Sequence, residues 1–130
     1  MELQFSTKLT YVPKFRGNRE AAESDRIVVT YRNPTVAMKA RLLPRPELRF
    51  RYDAQGNVQG GETVVVQDRK TLIDGMLVRI EGLVCTIDGE RKIITDAKGL
   101  WEAPAALDEL IDELAEFFRS ELDSKVDEKN

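Results

Sequence analysis

Five carboxylates crowd residues 108–116, in the last quarter of the chain: Asp108, Glu109, Asp112, Glu113 and Glu116. Carboxylates at this density suit general acid and base work, a glycosidase-like pair or a magnesium cluster, each of which needs two or three of them converging in a cleft. The sequence alone selects no such pair, and the spacing points elsewhere. Asp108 with Asp112, Glu109 with Glu113, and Asp112 with Glu116 are like-charged pairs four residues apart. Each destabilises a helix by roughly 0.2–0.5 kcal/mol, partly offset for the first acids by the positive end of the helix dipole. Leu107, Leu110, Ile111, Leu114, Phe117, Phe118 and Leu122 fall on the opposite stripe. The pattern predicts an amphipathic helix with an acidic back, whose chemistry is recognition.

Other candidate groups read more simply as structure. Asp88 and Glu90 flank Gly89, a tight hairpin turn that matches no calcium-loop spacing. Gly60-Gly61 is followed by no lysine and hydroxyl pair leading into a helix, so it reads as a flexible hairpin tip and not a phosphate loop. Arg45, Arg49 and Arg51 interleave with Phe50 and Tyr52, a mixture found in single-strand binders. Alternation nevertheless puts the rings on the face opposite the arginines, which predicts rings in the core and guanidinium groups toward water or an acidic partner. The chain has no histidine and a single cysteine, Cys85, which leaves no ordinary hydrolase triad and no thiolate zinc site. Cys85 lies in an apolar run and reads as a small buried hydrophobe. No cofactor or metal is expected, and no catalytic residue is assigned.

The elements that must position these groups follow from periodicity. Leu3, Phe5, Leu9 and Tyr11 share one parity of a half-buried strand ended by Pro13, and residues 14–25 read as an exposed loop. A β-branched strand over 26–32 leads to Asn33-Pro34, read as N-cap and first helical residue of a short helix that Pro44 stops. Residues 47–52 and 63–66 form a hairpin with a long loop. Asp68 caps a helix with the stripe Leu72, Ile73, Met76, Leu77 and Ile80, ending at Gly82; Gly75 inside it either permits close packing or is simply tolerated, the second being preferred. Val84–Ile87 and residues 91–95 flank the Asp88-Gly89 turn, and Ala103-Pro104 opens the terminal helix. The expected fold is α+β, an antiparallel sheet of hairpins packed by two main helices, about 68–82 and 104–122. It forms a single domain over 1–122 with a charged, frayed tail over 123–130.

Charge is unevenly shared. Residues 100–130 hold 10 acidic and 3 basic side chains and residues 1–99 hold 13 and 17, so the two parts carry −7 and +4. That polarity suits internal attraction, head-to-tail self-association or two partners of opposite sign. An overall acidic chain approaches phosphate at an electrostatic cost, so no nucleic-acid partner is expected. Nor is a membrane partner, because no long apolar run and no signal-peptide pattern is present. The lone cysteine suits a reducing, cytoplasmic setting.

One ordering resembles a known family. A strand ending Tyr31-Arg32-Asn33-Pro34-Thr35, a short helix, the segment Leu72 to Ile80 running into Glu81-Gly82-Leu83, then Asp88-Gly89 and an acidic terminal helix with the tail Glu128-Lys129-Asn130 are similar to the tail assembly chaperones of long-tailed bacteriophages, over residues 26–130. The resemblance implies a small non-enzymatic protein of the host cytoplasm that binds a tape measure or tail tube protein during tail assembly. Members of that family are often more helical than this strand-rich sequence. Because the family has no fixed binding motif, the residues themselves must supply the site. The first turns of the terminal helix are expected to dock on the domain. Leu114, Phe117, Phe118 and Leu122 then grip an apolar helical partner while Asp112, Glu113 and Glu116 steer basic ones. The alternative is a structural tail or connector subunit that oligomerises through its sheet edges. A small carboxylate-dependent enzyme and a nucleic-acid module using Arg45, Arg49 and Arg51 stand as further rivals.

Overall fold

Strand β1 (Lys8–Tyr11) pairs antiparallel with β2 (Val28–Arg32), which pairs antiparallel with β5 (Leu77–Glu81), and this three-stranded sheet carries the body of the protein. The structure is a computed structural model describing residues 1–43, 45–66 and 68–124. Two separate antiparallel hairpins complete the strands: β3 (Arg45–Tyr52) with β4 (Val58–Val66), and β6 (Val84–Ile87) with β7 (Glu90–Ile93). Among the described residues four α-helices join them: α1 (Val36–Leu42), α2 (Arg69–Met76), α3 (Ala97–Trp101) and α4 (Asp108–Ser124). The fold is α+β as expected, with three small sheets among the described residues in place of one sheet of hairpins. Pro44 and the tail over 125–130 lie outside the described residues, and α4 continues two residues past the expected end of the domain at 122.

The core is one cluster in which α4 lies against the β1–β2–β5 sheet and against α2. Val29 and Tyr31 from β2, Ile80 from β5, Leu72, Ile73 and Met76 from α2, and Leu110, Leu114, Phe118 and Leu122 from α4 are all buried. Asp68 caps α2 by accepting from the Lys70 amide, as its position before the stripe predicts. Gly75 is more than tolerated. A Cβ there would lie 3.1 Å from the Leu42 methyls, so glycine lets α1 and α2 approach closely.

Several local departures have physical causes. The helix expected over 68–82 stops at Met76, and Leu77 passes directly into β5. Leu77 and Ile80 are three residues apart, a helical spacing, yet both point inward from a strand. Opposite them the register slips between Thr30 and Tyr31, leaving Val78 as the extra residue of a β-bulge that restores inward parity. The first strand starts at Lys8, leaving Leu3 and Phe5 exposed. Lys8 faces Arg32, the last residue of β2, so residues before it have no partner strand. Thr35, not Asn33, caps α1, accepting from the Met38 amide. Asn33 instead donates its backbone amide to Thr7 O and its side-chain amide to Ser6 O, pinning the N-terminal segment. Cys85 is half-buried.

Residues 14–25, expected to be an exposed loop, are two 3₁₀ segments (Phe15–Glu20 and Glu23–Asp25) anchored by Asn18. The Asn18 amide donates to Pro13 O at 2.9 Å and Ile27 O at 3.0 Å, and its oxygen accepts from Ile27 N at 2.6 Å. The side chain is buried, so Asn18→Ala leaves buried backbone groups without partners. A loss of about 2–3 kcal/mol is expected, measured as a lower urea midpoint with an unchanged slope.

Candidate functional site

The terminal helix does not present the expected grip. Leu114, Phe118 and Leu122 are fully buried, and Phe117 is half-buried, its ring stacked on Tyr11 at 3.8 Å between centroids and edge-on to Tyr31 at 5.2 Å. The later turns are core because β1 and β2 supply two tyrosine rings to cover them, a contact between distant parts of the chain. The acids are similarly occupied. Glu113 accepts from the Tyr11 hydroxyl at 2.6 Å and from the Lys14 amide at 2.7 Å. Asp112 and Asp108, the like-charged pair, are bridged by one Arg69 guanidinium from α2 at 2.6 and 2.7 Å, which cancels their repulsion. Glu116 is exposed. The expectation of a docked first half and a free second half is therefore corrected: the whole apolar stripe faces inward, and most of the acids tie the helix down.

Tyr11 and Tyr31 record that clamp. Burial, and then the bond to Glu113, push the Tyr11 hydroxyl up to about 12. Burial, and then the bond to Glu121, raise the Tyr31 hydroxyl as well. A tyrosine whose folded value is raised contributes stability that is complete below its unfolded value near pH 10. Above it the unfolded chain releases the proton first, and the contribution is lost as pH climbs through the folded value. Stability is therefore expected to fall from pH 10 to about pH 12. Urea titrations across that range should show the fall in the wild type and a flatter profile for the Tyr11→Phe, Tyr31→Phe double variant.

What the molecule does present is the β3–β4 hairpin. Leu48, Phe50, Tyr52 and Val58 are between 49% and 61% exposed, and among the described residues neither strand packs extensively on another element. The expectation that these rings fill the core is corrected: the two-residue alternation is real, but among the described residues nothing covers the apolar side. Register puts Leu48 opposite Thr63, Phe50 opposite Gly61 and, after a slip between Arg51 and Tyr52, Tyr52 opposite Val58. These residues form one apolar face. Glu47, Arg49 and Arg51, opposite Val64, Glu62 and Gly60, form the other, with Glu47 and Arg49 paired at 3.3 Å. Gly61 is not at the tip. It lies beneath the Phe50 ring, where a Cβ would be 3.2 Å from the ring carbon, so glycine lets the aromatic lie flat across the ribbon. The turn is tied instead by Asp53, whose Oδ1 accepts from the amides of Gln55 and Asn57 at 2.9 Å.

A second apolar surface lies at the other end of α1. Phe5, Asn33, Pro34, Val36 and Met38 line an open groove of about 560 Å³, with Phe5 79% and Val36 89% exposed. Among the described residues no group of three or more acidic, cysteine or histidine side chains is placed to hold a metal ion, and no helix is long and apolar enough to cross a membrane. Compared with known protein families, with curated proteins and with solved structures, the chain matches none of them.

Proposed function

We infer that the protein is a non-enzymatic structural subunit that assembles with other protein chains through the β3–β4 arm, of the kind that builds a phage tail or its connector. One observation carries the reading: a two-stranded ribbon stands apart from the core with an apolar face in water. An isolated hairpin is only marginally stable in water, and an exposed apolar ribbon edge invites pairing with another chain. Such an arm is a liability in a monomer and an asset in an assembly. The phage setting rests on the resemblance over residues 26–130, and action in the cytoplasm of the producing cell belongs to the same proposal. Capture of a tape-measure-like helix by the later turns of α4 is less favoured, because the residues that would grip it are core.

The test is the triple variant Leu48→Ser, Phe50→Ser, Tyr52→Ser. All three side chains lie outside the core, so thermal stability should stay within about 0.5 kcal/mol of the wild type. Concentration-dependent association in sedimentation velocity should vanish. A wild type that is monomeric at every concentration, or a variant that associates as the wild type does, would contradict the reading.

A further inference from the structure

We propose that the arm's apolar face docks on the same face of a second copy of this chain, in a two-fold dimer whose axis brings Phe50 against Phe50 of the other copy. The inference rests on the assembly reading above and adds the partner and the side chain at the centre of the contact.

Extent argues first. The exposed parts of Leu48, Phe50, Tyr52 and Val58 amount to about 400 Å², taking side chains of this size as burying about 150–250 Å² when fully covered. Interfaces between identical chains are about 65% apolar, so an apolar patch of this extent belongs to a footprint of about 600 Å² on each partner. Two such footprints make about 1,200 Å², the lower end of specific interfaces. Elsewhere Phe5 and Val36 share the groove beside α1, and Val84 faces Ile93 across β6 and β7. Each of those places joins two exposed large apolar side chains where the arm joins four. The surface that matches the arm in extent is a second arm.

Charge and shape agree. Residues 45–66 hold three basic side chains, Arg45, Arg49 and Arg51, and three acidic ones, Glu47, Asp53 and Glu62, so the arm is neutral while the whole chain carries −3. A strongly charged partner finds no steering field there, whereas a second neutral arm meets no repulsion. A two-fold contact sets residues near its axis against themselves, so a charge on the docking face would meet its own sign. Glu47, Arg49, Arg51 and Glu62 all lie on the other face, and Asp53 is engaged in the turn. Phe50 is the middle one of Leu48, Phe50 and Tyr52, and Gly61 beneath it lets the ring lie flat across the ribbon. Sheets packed face to face lie about 10 Å apart and cross at about 30° or 90°. Either crossing keeps the central ring at the axis, where two flat rings stack with an offset.

Sedimentation velocity and isotope-filtered NMR on the full chain test this. The wild type should pass from monomer to dimer as concentration rises and form nothing larger. Phe50→Glu sets two like charges at the axis and should weaken the dimer at least about 30-fold with an unchanged circular dichroism spectrum. Arg49→Gln, on the other face, should leave the dimer intact. In a dimer mixed from labelled and unlabelled chains, the Phe50 ring of one should show a nuclear Overhauser contact with the Phe50 ring of the other. If the associating wild type lacks that contact, grows beyond a dimer, or depends on Arg49 as strongly as on Phe50, the arm has another partner surface; self-docking falls and only the assembly reading survives. Undiminished association of Phe50→Glu, or a wild type that is monomeric at every concentration, would overturn both.

Discussion

Phe118→Ala is expected to lower the stability of the fold by about 3–5 kcal/mol, a large share of the 5–15 kcal/mol that holds a domain of this kind together. The phenyl ring has no exposed surface and meets Tyr31 at 5.6 Å and Phe117 at 5.9 Å between centroids, between the sheet and the helix that carries it. Truncation removes the transfer free energy of the ring and leaves a void. Three neighbours of the void are themselves fixed: Phe117 by stacking on Tyr11, Tyr31 by its bond to Glu121, and Leu122 by full burial. Little collapse is available, so the upper part of the range is expected. Chemical denaturation followed by circular dichroism measures it. A variant that keeps wild-type stability but loses an interaction would mean that this ring faces a partner and not the core.

Gly82→Ala is expected to cost on the order of 3–4 kcal/mol, from two separable causes. Gly82 has φ +81°, a conformation that costs a residue with a Cβ about 1–2 kcal/mol. A Cβ there would also lie 2.1 Å from the Arg26 carbonyl oxygen, and that oxygen is backbone leading into β2. Relief requires moving the approach to the central strand, where Val28 pairs with Glu81 immediately before the glycine. Gly89 provides the control. Its φ is +77° in the β6–β7 turn, but nothing lies within 4 Å of its Cβ position. Gly89→Ala should therefore show the conformational part alone, and the difference between the two variants in melting experiments isolates the steric part. Equal effects at the two positions would show that the close approach to Arg26 carries no energy.

The elements were legible in the sequence where a local signal was sufficient. Asp68 before an apolar stripe marks the start of α2, and Asp88-Gly89 marks the β6–β7 turn, in which Asp88 (φ +52°) and Gly89 both adopt the positive backbone angles that dipeptide favours. The inward stripe of α4 was also legible, because helical period fixes which residues share a face. How much of that stripe is covered was not, because Tyr11 and Tyr31 reach it from strands about 90 to 100 residues earlier in the chain.

The same limit explains the hairpin. Alternation of Leu48, Phe50 and Tyr52 is identical for a strand half-buried on a core and for a ribbon standing in water. Only the presence or absence of a covering layer separates them, and that is non-local. Leu77 and Ile80 failed for another reason: a β-bulge turned a strand's parity into a helix's spacing. The proposed partner site therefore lies on β3 and β4, whose rings stand exposed, and not on α4, whose candidate residues fill the interior.

Hydrogen exchange of the full chain, compared at low and high protein concentration, tests the arm's role most directly. The account predicts that the β3–β4 amides slow as concentration rises, while the α4 amides, already protected by the core, stay unchanged. Exchange of β3 and β4 that is fast and independent of concentration would contradict it.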